Sequence, residues 1–158
     1  MPFQGQVNLT PAIGLNGDFA STNPRASVVA PEAGFVAGSG GITVGTFVWV
    51  QPDGKTLLNT GAGVPDGFVP REQQALITAY LAEFGTNIPA GMVVTVMRTG
   101  DYRMTMPAGS TKGNKVFAVL ANGTATAGAA GATIAGAIET SFTVDRTVLA
   151  GELTVATA

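Results

Sequence analysis

Glycine and proline punctuate this chain so often that long helices have little room to form. There are 22 Gly and 9 Pro in 158 residues. Proline fixes φ and lacks a backbone donor, while glycine admits the positive φ of tight turns. What survives between these breaks is a set of short, β-branched runs. Ile42-Thr43-Val44 and Thr46-Phe47-Val48-Trp49-Val50-Gln51 read as strand. Pro52-Asp53-Gly54 is a turn, so Lys55 to Asn59 is expected to return antiparallel as a hairpin. Gly61 to Gly67 forms a second loop. Further strands are expected over Met92–Arg98, Tyr102–Met106 and Lys115–Ala121, the last closed by the hairpin signal Asn122-Gly123. Weaker ones fall around Thr133–Glu139, Thr140–Val144 and Glu152–Ala156. Short strands with turn signals about every 8–12 residues argue a sandwich or barrel.

One stretch reads differently. From Arg71 to Phe84 the apolar residues Leu76, Ile77, Tyr80, Leu81 and Phe84 share one stripe at helical spacing. Glu72 suits the first turn, and Gly85 and Pro89 stop the pattern. A short α-helix near 71–84 is therefore expected, with its stripe facing the core.

Residues 1–41 carry neither period. Pro2, Pro11, Pro24 and Pro31 alternate with Gly5, Gly14, Gly17, Gly34 and Gly38, which favours an extended, irregular course. The expected organisation is an extended N-terminal arm over 1–41, with Gly38-Ser39-Gly40-Gly41 as its joint. A mainly β body over 42–158 follows, a small β-barrel or jelly-roll-like domain.

Composition restricts the chemistry. The chain has no Cys and no His, so thiolate nucleophiles, imidazole bases and the usual zinc ligands are excluded. Ten Asp and Glu remain for acid–base work. They are scattered, and Asp53, Asp66 and Asp101 each adjoin a turn glycine, where Asp commonly bonds its own backbone. No catalysis, metal or cofactor is expected. Eight basic residues against ten acidic ones give a net charge of −2, and the basic ones are dispersed from Arg25 to Arg146, which disfavours a nucleic-acid partner. Only 11% of the residues are charged. A free surface is usually ~25–35% charged, so much of this one is expected to be covered by other subunits. The N-terminus lacks a signal peptide's basic and apolar regions, and no stretch offers the ~20 bulky apolar residues of a spanning helix.

Several segments resemble a known family. Met1-Pro2-Phe3-Gln4, Gly17-Asp18-Phe19-Ala20-Ser21 and Asn23-Pro24-Arg25 are similar to the opening of the structural cement (capsid decoration) proteins of tailed bacteriophages. Gly41 to Val50 resembles that family's entry into its first core strand, and Pro70-Arg71 with Gln74 to Leu81 resembles its helix. Gly91 to Asp101 and Ile138 to Leu153 fit as well. The resemblance implies a virion protein, made in the bacterial cytoplasm, that bridges neighbouring major capsid subunits on the outside of an icosahedral head. It implies a homo-oligomer, dimer or trimer, and a capsid contact through Pro2, Phe3, Gln4, Phe19, Asn23, Pro24 and Arg25. Trp49 is expected in the core. The rival expectations are another virion module, a tail-tube or fibre-head protein, and a small enzyme built on two facing carboxylates.

Overall fold

The computed structural model describes residues 13–72, 76–77 and 86–158. Every α or β element among the described residues is a strand. In chain order these are β1 (Ala26–Ser27), β2 (Phe35–Ala37), β3 (Ile42–Thr43), β4 (Phe47–Val50), β5 (Thr56–Leu58), β6 (Gly67–Phe68), β7 (Leu76–Ile77), β8 (Thr86–Ile88), β9 (Val93–Val94), β10 (Met97–Thr99), β11 (Asp101–Met106), β12 (Lys115–Val119), β13 (Ala125–Gly128), β14 (Ala137–Val144) and β15 (Glu152–Thr157). They make three sheets. The largest has the order β1-β10-β6-β4-β5-β2-β9, the second β11-β15-β14-β12-β13 and the third β3-β8-β7.

Two cores follow from one strand. In β4, Phe47 and Trp49 enter a cluster shared with the second sheet, while Val48 enters a cluster with Phe35, Ile42, Leu57 and Ile88. Successive strand residues point to opposite faces, and β4 is covered on both, which is why Phe47-Val48-Trp49-Val50 is apolar without alternation. The first cluster is an aromatic pile. Phe68 lies 5.4 Å from Phe47 and 5.1 Å from Tyr102 between ring centroids, and Tyr102 lies 6.0 Å from Phe142. Tilted and edge contacts of this kind add ~0.5–1.5 kcal/mol each beyond area burial. Met104, Met106, Val116 and Ala156 fill the remaining space.

The two expected hairpins form. Trp49 pairs with Leu58 and Val50 with Leu57, antiparallel, across the Pro52-Asp53-Gly54 turn. Gly54 takes φ +74° there. The β12–β13 hairpin turns through four residues, Leu120 to Gly123, and Gly123 N donates to Val119 O at 2.8 Å. At φ +70° Gly123 also passes its carbonyl to Phe47 N of the first sheet at 2.7 Å. A Cβ at this position would stand 2.2 Å from Phe47 O. Only glycine fits between the sheets here.

The helix expected near 71–84 does not hold. Leu76 and Ile77 pair antiparallel with Asn87 and Thr86, as β7 against β8. The rest of that stretch, 73–75 and 78–85, lies outside the described residues. Two adjacent apolar residues satisfy a strand as readily as a helical stripe, and pairing with β8 decides between them. Met92–Arg98, expected as one strand, is two: β9 pairs with β2, and β10 pairs with β6 and β1. The two weak strands around Thr133–Val144 are a single β14.

The described part of the segment 1–41 lies along the body. Ala26 and Ser27 pair with β10, and Phe35 and Ala37 are buried in the second core.

Candidate functional site

The residues that could meet a partner are built around one sheet edge. In an antiparallel pair alternate residues bond to one neighbour and then the other, so β11, paired with β15 on one side, turns Asp101, Arg103 and Thr105 outward. Residues 16–20 take up those groups. Gly17 N donates to Arg103 O at 2.8 Å, Arg103 N to Asp18 O at 2.8 Å, and Ala20 N to Asp101 O at 2.9 Å. Asn16 completes the row with its side chain: Oδ1 accepts from Thr105 N at 3.0 Å and Nδ2 donates to Gly45 O at 2.9 Å.

Of the residues expected to touch a partner, Pro2, Phe3 and Gln4 lie outside the described residues. The other four lie together on this edge. Phe19 bridges to Tyr102, with ring centroids 5.5 Å apart, and packs on the first core. Arg25 holds its guanidinium over the Phe19 ring. Asn23 and Pro24 are exposed, and Asn23 Nδ2 donates to Asp101 Oδ2 at 2.6 Å.

Asp101 is the residue that sequence reasoning missed. It reads as a turn Asp after Gly100, yet its carboxylate accepts from Ser21 Oγ at 2.5 Å as well as from Asn23. Hydrogen bonds from Ser21, then Thr157 and Asn23, hold its carboxyl below the ordinary carboxylate range against the opposing effect of desolvation. The beneath-lying Tyr102 is pushed up to about 12, chiefly because burial disfavours the phenolate. Its hydroxyl donates to Thr99 O at 3.0 Å.

Six other carboxylates have partners of their own. Asp18 accepts from Leu15 N, Asp66 from Val50 N, Glu139 from Gly131 N and Glu152 from Leu149 N. Asp53 accepts from the hydroxyl and N–H of Thr56 and the N–H of Lys55, which lower its pKa to about 2. Asp145 faces Lys112 at 3.9 Å on the open surface, a pair worth little there. Asp18, Asp53 and Glu152 cap tight turns, whereas Asp66 and Glu139 reach backbone N–H groups farther along the chain. No group of three or more Asp or Glu stands close enough to hold a metal ion among the described residues. A cleft of about 450 Å³ does bring Asp66 near Arg98, Thr140 and Ser141, but Asp66 is already committed to Val50 N.

Among the described residues the body is all β, and one edge of its second sheet is covered by the chain's own residues 16–20. The same fold occurs in a chain of the solved capsid of Myoviridae phage XM1, with a TM-score of 0.66 at 19% identity, covering 99% of this chain and 97% of that one. No curated protein matches the sequence. The sequence model of the XM1 gp53 minor capsid proteins matches residues 3–157. The chain belongs to that minor capsid protein family, and its role is structural, in the virion.

Proposed function

We propose that the protein cements the shell: it sits on the outer surface of the head and bridges neighbouring major capsid subunits. The observation that carries this reading is the family match, which runs from residue 3 to residue 157 and so embraces both the segment 1–41 and the body. In this reading the N-terminal segment is the gripping part. Pro2, Phe3 and Gln4 meet the capsid with exposed Asn23, Pro24 and Arg25 and with Phe19, whose ring supports the Arg25 guanidinium. Anchoring residues 16–27 on β10 and β11 reduces what must be ordered on binding. Several such contacts on one oligomer, dimer or trimer, add avidity through effective concentration.

The body, in the same reading, is a small barrel or jelly roll. The large sheet is open, since its end strands β1 and β9 do not pair among the described residues, and open sheets suit a jelly-roll-like body better than a closed barrel. Contact with nucleic acid has no place in this role, and neither does catalysis.

The test uses heads stripped of this protein. Purified full-length chain should restore stoichiometric decoration and raise the temperature or osmotic shock at which heads rupture. Binding without any gain in head strength leaves decoration and removes cementing. Failure to bind heads, with assembly into stacked rings instead, indicates a tail-tube module.

A further inference from the structure

The two ends of the five-stranded sheet are treated differently. The outer groups of β11 are covered by residues 16–20 of the same chain, through the bonds of Asn16, Gly17, Asp18 and Ala20. At the other end, among the described residues β13 pairs only with β12. Val119 N donates to Thr124 O, so alternation turns the N–H and C=O of Ala125 and Ala127 away from β12. Those outward groups have no hydrogen-bond partner among the described residues. Thr126, Ala127 and Gly128 are partly exposed. β11 is not available to pair with them, because its own outer row is already filled.

Proteins usually block such an edge with Lys, Pro, a bulge or a covering loop. Here nothing of the kind stands on β13: Ala125-Thr126-Ala127-Gly128 has no charge and no proline, and no charged residue occurs from Val116 to Ile138. A second, independent feature lies beside it. A cleft of about 420 Å³ passes Ala127 between Ser110 and Leu149, and the buried hydroxyl of Ser110 has no hydrogen-bond partner. Unpaired backbone donors and acceptors, a strand with no charged side chain of its own and an unsatisfied hydroxyl all suit an uncharged, extended polypeptide.

We infer that the β13 edge is a strand-docking site that takes an extended, uncharged segment of a neighbouring capsid polypeptide by β-addition. The inference rests on the capsid reading above and names a contact within it, separate from the 2–25 rim. The incoming strand bonds to Ala125 and Ala127, and the small side chains of β13 let its backbone approach closely. Main-chain bonding of this kind depends little on the partner's side chains, which suits a protein that must meet several subunits in similar poses.

The test uses full-length protein and heads stripped of it, with two variants. Ala127→Pro deletes an outward N–H and leaves the inward bonds of Thr126 and Gly128 to β12 in place. Thr126→Lys places a blocking charge on the edge and carries the test alone if the proline variant does not fold. Both folded variants should decorate heads with at least tenfold weaker affinity, with melting curves close to wild type. Decoration at wild-type affinity by either folded variant overturns the inference while leaving the capsid reading intact. A free dimer of the wild type that both variants dissociate overturns it too, by assigning the edge to a second copy. Failure of the wild type itself to bind heads overturns the capsid reading instead.

Discussion

The guanidinium carbon of Arg25 stands 4.0 Å from the centroid of the Phe19 ring, and Phe19 rests on Tyr102. Tyr102 has no exposed surface. A residue on the rim is thus linked through one ring to the centre of the aromatic pile. The segment that sequence alone presents as an arm is, from Asn16 to Ser27, part of what the body is made of.

Phe19→Ala should therefore lower stability by about 2–3 kcal/mol, the range for truncating a half-buried aromatic. Arg25→Ala should cost no more than about 1 kcal/mol, as expected of an exposed cation over a ring. Urea melts of the two variants check the order. Equal losses, or none for Phe19, would place the ring outside the core's energetics.

Deleting residues 2–27 tests the same relationship at larger scale. It removes the ladder partners of Arg103 and Asp101 together with Phe19. The truncated chain should melt at a clearly lower temperature than the full chain, or fail to fold. A cooperative melt at the wild-type temperature would return these residues to the status of a free arm.

Acid should loosen this edge first. The Asp101 carboxyl has a lowered pKa, so its ionised form adds stability that is complete above the ordinary value of ~3.9 and is lost as pH falls through the lower folded value. Asp101→Asn should be less stable than wild type near pH 7, and the gap should narrow as pH falls below the ordinary carboxylate range. Thermal melts across that range measure it. A gap independent of pH would mean that the carboxylate's charge contributes nothing.

Gly123→Ala should destabilise by more than about 2 kcal/mol, since a methyl there meets Phe47 O and the backbone is strained for any L-residue. Gly131→Ala, at φ +72° with open space around it, should cost only about 1 kcal/mol. Comparing the two separates the collision from the backbone penalty. Similar losses would show that β12–β13 can shift away from β4.

Association with heads should depend weakly on salt, because dispersed charges leave apolar and main-chain contacts dominant. At about 1 M salt, where the Debye length is ~3 Å, most copies should remain bound in a sedimentation assay. Release of nearly all copies by salt alone would put electrostatics first.

Strands and turns were legible because their signals are local. Pro52-Asp53-Gly54 and Asn122-Gly123 mark hairpins within a few residues. Leu76-Ile77 misleads because the deciding partner, β8, is supplied by tertiary pairing that no helical period registers. The arrangement of the candidate edge was not legible from local signals. Phe19, Asn23 and Arg25 were named by resemblance, but nothing in Gly100-Asp101 announces that Ser21 and Asn23 will converge on its carboxylate. That convergence is a property of the edge, and the edge exists only once β11 and β15 have paired.

That pairing has a consequence for the order of events during folding. β15 lies between β11 and β14 in the second sheet, so Asp101–Met106 cannot take its place beside its sequence neighbour β12. It must wait for Glu152–Thr157 to be synthesised and to close a long intervening loop. Non-local closures of this kind slow folding and leave apolar surface uncovered meanwhile. Met104, Met106 and the Tyr102 ring are the surface left waiting. Until β15 arrives, that surface is the part of the body most open to wrong contacts.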